Sequence, residues 1–199
     1  MNPKTRPRIV VVGHGMVAHR FVQAAIERGL SETHDIVVLG EEPRAAYDRV
    51  ALTSFFERGA DDLSFLPEGA YEDPRVRLVL DTVVTEIDRT ARTVTAVTHA
   101  EAAAPGAPLS TPGVIEIVSY DVLVLATGAA PFVPPVPGHG AQGCFVYRTI
   151  EDLEAIREAS ENASSGIVIG GGLLGLEAAN ALVQLGLKTH VVEMAPRLM

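Results

Sequence analysis

Apolar residues fall into two kinds of run along this chain. Ile9–Val12 and Ile36–Leu39 are short, β-branched and uninterrupted, the pattern of strands covered on both faces. Between them, Met16 to Arg28 carries its apolar residues at helical spacing, so Val17, Phe21, Ala24, Ala25 and Ile26 are predicted to form the inward face and Gly29 to end the helix. Strand, helix and strand in that order predict parallel strands joined by a right-handed crossover. The order returns near the other end, with Gly166–Ile169 as strand, a glycine turn, a helix through Leu185 and Gly186, and the strand Thr189–Val192. Two copies of one unit in a single chain point to a repeated function.

The middle has a different rhythm. Arg75–Val97 and Gly113–Val118 alternate apolar and polar residues, as strands of a small antiparallel meander do. Residues 100–112, AEAAAPGAPLSTP, form a low-complexity loop between them. Asp121–Ala126 then reads as a buried parallel strand entering the Thr127-Gly128 turn, and Pro131, Pro134, Pro135 and Pro137 make a stiff connector. The expected class is α/β: a three-layer β/β/α nucleotide-binding domain with a parallel sheet and an antiparallel meander, followed by the start of a second Rossmann-like unit. The expected domains are 1–140, with the meander at about 75–120, and 145–199, with a boundary near Gly138 to Val146.

Composition narrows the chemistry. With 16 Lys+Arg against 25 Asp+Glu, the 199-residue chain carries a formal charge of −9, which disfavours nucleic acid and anionic membranes as partners. Its single cysteine, Cys144, excludes an internal disulfide, a C-x-x-C redox pair and an all-cysteine cluster, and is expected to be a small, semi-buried residue. Redox work would need an organic cofactor. The six histidines contain no H-x-x-x-H pair, so no metal is expected. The apolar run after the basic start ends at Gly13, too short for a signal-peptide core. Other apolar stretches fall short of the ~18–20 residues that cross a bilayer, and a cytoplasmic protein is expected.

The candidate chemistry lies in the two glycine turns. Gly13-x-Gly15-x-x-Ala18 follows a strand and opens a helix. Gly13 allows the tight turn, Gly15 lets backbone approach a pyrophosphate, and Ala18 lets helix pack on strand. Glu41, ending the next strand, is placed to accept a hydrogen bond from a ribose hydroxyl. Gly170-x-Gly172-x-x-Gly175 repeats the motif, closed by Glu193. A carboxylate there accepts from an unphosphorylated ribose and repels a 2′-phosphate, favouring NADH over NADPH, although Arg197 nearby weakens that preference. Two dinucleotide sites suit a retained flavin and a nicotinamide that delivers hydride to it.

With Val11–Met16, Leu123–Gly128 and Gly170–Glu177 in view, the chain resembles the FAD-dependent pyridine-nucleotide oxidoreductases over essentially its whole length. The segments at residues 41–50, Pro131–Pro135, Val146–Leu153 and Pro196–Met199 look most like the NAD(P)H nitrite reductase large-subunit branch. That resemblance implies FAD held by Gly13, His14, Gly15, Met16, Val17, Ala18, Glu41, Arg49, Val84, Thr127 and Gly128, with Arg49 beside the FAD phosphates. It implies NAD(P)H held by Gly170, Gly172, Leu173, Leu174, Gly175, Glu177 and Glu193, with Glu177 near the nicotinamide. No side chain need act as acid or base in hydride transfer, because orienting two rings in a dry cleft supplies most of the catalysis.

Related ferredoxin and rubredoxin reductases carry a lysine after Leu-Ser; this chain has Leu52-Thr53-Ser54. The resemblance also implies downstream sirohaem and iron–sulfur centres reducing nitrite to ammonium, and a flavin domain completed by a later segment, so the sequence is expected to be part of a longer reductase. Two other readings stay open: a flavin reductase serving a small iron–sulfur protein, and a non-catalytic nucleotide-binding remnant.

Overall fold

The computed structural model describes residues 6–65, 71–98 and 113–199, in two compact units. The low-complexity loop predicted at 100–112 lies outside the described residues.

The first unit comprises residues up to Tyr47 and Ser64–Ala129. β1 (Arg8–Val12) leads into α1 (Met16–Glu27), the single turn α2 (Leu30–Thr33) and β2 (Asp35–Leu39). β3 (Val76–Val79) follows, then β4 (Thr82–Asp88), β5 (Thr93–Thr98), β6 (Val114–Ser119) and β7 (Val122–Leu125). One sheet is parallel in the order β3-β2-β1-β7 and the other antiparallel in the order β4-β5-β6.

The burial of β1 and β2 explains their uninterrupted apolar sequences. Ile9, Val11, Ile36 and Val38 pack with Ala18, Val22 and Ala25 of α1, forming one core cluster. Their alternate neighbours Val10, Val12, Val37 and Leu39 join Val94, Ala96 and Val118 of the meander in a second. A strand with period-two side chains and a layer on each face has no position to spare for a polar residue. The three layers are therefore meander, parallel sheet and helix, as the sequence predicts.

Three details differ from the sequence reading. The strand expected to be buried at Asp121–Ala126 is β7 at the edge of the parallel sheet, with Val122 and Leu125 exposed. The inward face of α1 is Ala18, Val22 and Ala25 with His19, whereas Val17 is 74% exposed. The helix is rotated so that small residues meet the sheet, which allows close approach, and Phe21 and Ile26 pack only at the margin of the cluster. The stretch Val76–Val79 also belongs to the parallel sheet, not the meander: it pairs with β2, and its alternation arises because it is an edge strand with Arg77 exposed.

The second unit comprises Asp48–Leu63 and Ala130–Met199. It holds the short helix α3 (Phe55–Arg58), α4 (Ile150–Ser160), β8 (Ser165–Ile169), α5 (Leu173–Gln184) and β9 (Lys188–Val192). β8 and β9 pair in parallel across α5, the predicted second crossover. Leu52, Phe55, Leu63, Ile150, Leu153 and Ala181 are its buried apolar residues among those described. The Arg157 guanidinium lies 4.8 Å above the Phe55 ring, a cation–π contact linking α4 to the 48–63 segment. α4 starts with a capping box: Thr149 Oγ1 accepts from the Asp152 amide at 3.2 Å, and Asp152 Oδ2 accepts from the Thr149 amide at 2.9 Å. Cys144 is exposed rather than semi-buried, and its thiol makes only a weak contact at 3.5 Å with the Gly138 carbonyl oxygen.

Candidate functional site

The first glycine turn stands at the C-terminal edge of the parallel sheet. Gly13 has φ +98°, and a Cβ there would meet the Ala126 carbonyl and approach Thr127 Cα at 3.0 Å. The turn thus needs glycine for both its conformation and its closeness to the backbone after β7. Gly13 N–H donates to the Leu39 carbonyl and Ala126 N–H to the Val12 carbonyl, each at 2.8 Å. These bonds bring Gly13–Ala18 together with Thr127 and Gly128, two segments separated by more than a hundred positions in sequence.

Gly15 caps α1 without a side-chain hydrogen bond, and nothing lies within 4 Å of where its Cβ would stand. The first-turn amides of Met16, Val17 and Ala18 have no partner inside the helix. This open, amide-rich cradle suits a pyrophosphate. Glu41 is exposed immediately beyond β2. Val84 pairs with Ala96 beside a bulge in β4 and turns its side chain into the second core cluster, leaving its backbone for any ligand contact.

His14 points inward. Both ring nitrogens are buried without a hydrogen-bond partner, and burial, with the neighbouring His19 contributing, lowers its pKa to about 4. Tyr71 stands edge-on at 5.5 Å. His19 Nδ1 lies 3.3 Å from the Tyr71 hydroxyl, and its ring stacks on Phe65. The backbone of His14 belongs to the cradle, while its imidazole is a neutral core group.

The second turn has the same plan. Gly170 has φ +111° and donates to the Val192 carbonyl at 2.9 Å. Gly172 caps α5 with no side-chain hydrogen bond and open space at its Cβ position. A Cβ on Gly175 would run into the Gly170 carbonyl, so glycine allows helix and turn to touch. Leu173 and Leu174 are exposed and Glu177 is half-buried on α5. The Glu193 carboxylate accepts from Gly171 N–H at 2.6 Å and Ala195 N–H at 2.8 Å. These amides, Ala195 foremost, hold its pKa below the usual carboxylate range. Glu193 therefore fixes the glycine turn, and its carboxylate oxygens keep further lone pairs able to accept.

Arg49 lies in the second unit, where its Nη1 donates to the Arg148 carbonyl at 3.3 Å. The sequence reading passed over the neighbouring Tyr147, whose hydroxyl is buried beside that of Thr53. The legible signal was Thr149-x-x-Asp152, a capping pattern that starts a helix immediately after it. Among the described residues, no group of three or more His, Cys, Asp or Glu could hold a metal ion, and no helix is long and apolar enough to cross a membrane.

Comparison with known proteins places this geometry. The family described as pyridine nucleotide-disulphide oxidoreductase matches residues 7–199. The chain is 50% identical over 196 residues to the nitrite reductase [NAD(P)H] large subunit of Klebsiella oxytoca, covering 98% of this chain and 19% of that protein. It is 42% identical over 196 residues to the nitrite reductase (NADH) large subunit of Escherichia coli (strain K12), covering 98% and 21%. Among solved structures, an NAD-dependent persulfide reductase from A. fulgidus superposes with a TM-score of 0.79 at 29% identity, over 96% of this chain and 34% of that one. The chain spans about a fifth of the length of these nitrite reductase relatives.

Proposed function

The chain belongs to the pyridine nucleotide-disulphide oxidoreductase family, and we propose that it is the electron-input module of a nitrite-reductase-type flavoprotein, taking hydride from NADH to FAD. The observation that carries this reading is the repeated open cradle: two strand–glycine–helix turns, each with uncapped amides and room where a Cβ would stand.

In the first unit, the amides of Gly15 to Ala18 would hold the FAD pyrophosphate, Glu41 its ribose, the Val84 backbone its adenine end, and Thr127-Gly128 the chain's closest backbone to it. Arg49 is assigned as a permanent cation for the phosphates. In the second unit, Gly170, Gly172, Leu173, Leu174 and Gly175 would hold the nicotinamide dinucleotide, with Glu193 on the adenosine ribose and Glu177 toward the nicotinamide. Bound FAD supplies a two-electron acceptor for hydride; the residues named here bind, orient and exclude water. We assign the flavin role to residues 1–140 and the nicotinamide role to 145–199, although residues 48–63 and 130–140 belong structurally to the second unit. Downstream iron–sulfur and sirohaem centres, or a small iron–sulfur protein, would take the electrons onward, and the setting is cytoplasmic.

The visible absorption spectrum of the purified protein, recorded before and after anaerobic NADH, tests the proposal. A flavin spectrum that bleaches is expected. A protein that retains flavin unbleached by NADH would refute the electron-input role.

A further inference from the structure

The segment after β9 turns back onto the second glycine turn, and its contacts there converge on Gly171. The Glu193 carboxylate accepts from Gly171 N–H at 2.6 Å and from Ala195 N–H at 2.8 Å. Met199 N–H donates to the Gly171 carbonyl at 3.2 Å. Leu198 lies against the same residue: a Cβ on Gly171 would run into Leu198 Cδ2 and stand 3.1 Å from Glu193 Cβ. Backbone and side chains thus fasten residues 193–199 to one glycine, and its missing Cβ is the space they use.

The first unit fills the corresponding space from the opposite side. There the turn supplies the side chain, His14, and the end of β2 supplies the glycine, since a Cβ on Gly40 would lie 2.9 Å from His14 Cβ. In the second unit the turn supplies the glycine, so Glu193 reaches across and binds a turn amide. The clasp therefore holds a carboxylate at the end of β9.

Where it is held matters because of what else the segment carries. Arg197 is exposed within the clasped stretch, between the Ala195 amide that binds Glu193 and the Leu198 side chain that lies on Gly171. A carboxylate at this place accepts from a ribose hydroxyl and repels a 2′-phosphate, whereas a guanidinium reaching the same place attracts the phosphate. Which of the two meets the ribose depends on how the segment is pinned.

We propose that Leu198, seated on Gly171, is a specificity-determining residue for the nicotinamide dinucleotide: it pins residues 194–199 so that Glu193, and not Arg197, meets the adenosine ribose. The second cradle then takes the dinucleotide without a 2′-phosphate. This rests on the assignment of that cradle to the nicotinamide cofactor under the proposed function.

Equilibrium binding of ADP-ribose and of its 2′-phosphate to the purified full chain tests the proposal without turnover. The parent should bind ADP-ribose the more tightly. Leu198→Ala should lower that preference about fivefold, mainly by tightening the 2′-phosphate, while Leu198→Met, which keeps an apolar side chain on Gly171, should retain it. Gly171→Ala displaces the flexible end of Leu198 and should lower the preference as far, with no further loss when the two alanines are combined. Should Gly171→Ala fail to fold by far-UV circular dichroism, Leu198→Ala, at a residue already 49% exposed, decides the matter alone. An unchanged preference in Leu198→Ala, or an equal weakening of both ligands, overturns the proposal, because a merely structural contact would weaken both alike. A parent that binds neither ligand would contradict the nucleotide assignment of the second cradle, and the pinning role with it.

Discussion

The two glycine turns share a sequence plan but depend on different glycines. In the first, the first position is the crowded one: Gly13 abuts the Ala126 carbonyl because β7 pairs alongside β1. The third position, Ala18, accommodates a fully buried methyl. In the second, Gly170 has open space at its Cβ position, and crowding has moved to the third position, where Gly175 meets the Gly170 carbonyl. The middle positions diverge as well: His14 sinks into the core, whereas Gly171 uses its amide to bind Glu193. One motif thus sits in two packing environments, and the residue that cannot change is set by the neighbouring strand rather than by the motif.

The largest expected effect breaks this asymmetry directly. Gly13→Ala should destabilise the first unit by about 3 kcal/mol or more, since it combines a left-handed φ with a backbone clash. Gly170→Ala, with the strain but no clash, should cost only about 1–2 kcal/mol. Thermal or denaturant melts of the two variants check the order, and equal losses would remove the contrast. At the third position the ranking should invert, with Gly175→Ala costing more than Ala18→Gly.

Acid sensitivity should separate the units next. His14 folds with its pKa lowered to about 4 from 6.5, so the unfolded chain binds the extra proton between those values. Stability is complete above about pH 6.5 and falls as pH drops toward 4, by up to about 3 kcal/mol. His14→Leu should flatten this window in a pH series of denaturant melts, whereas substitutions around Gly171 should leave it in place. A slope unchanged in His14→Leu would assign the loss to other groups.

The smallest effect concerns the carboxylates. Glu193→Ala removes a partner of two turn amides and is expected to narrow the preference for NADH over NADPH about tenfold, read as the ratio of kcat/KM values. Glu41→Ala, exposed at the equivalent place, is expected to loosen flavin retention only several-fold, measured by flavin release on dilution.

Much of this organisation is legible in the sequence because burial on both faces leaves a strong mark. Ile9–Val12 and Ile36–Leu39 have no polar interruption, and the first glycine turn follows such a run; the second follows Ile167–Ile169, equally apolar although Ile167 and Ile169 are exposed. The parts that escaped are those decided by tertiary partners. Val17 and Ala18 are both apolar, so spacing alone does not reveal that the sheet selects the smaller. Val76–Val79 alternates like a meander strand because an edge strand of a parallel sheet also has an exposed side. Nothing local in residues 48–63 announces that Phe55 packs with α4, or that Thr53 stands beside Tyr147. The Thr149–Asp152 capping box was a readable signal for α4.

The two turns divide the labour, the first holding flavin and the second the nicotinamide, and paired substitutions at their open positions separate these roles. Valine at Gly15 or Gly172 adds its Cβ where no other part of the protein lies within 4 Å, so the fold is expected to persist. Flavin content and NADH-dependent bleaching are then measured on Gly15→Val and Gly172→Val side by side. Gly15→Val is expected to be purified without flavin, while Gly172→Val is expected to keep its flavin and no longer bleach with NADH. Flavin retained in folded Gly15→Val, or lost from folded Gly172→Val, would contradict this division of labour.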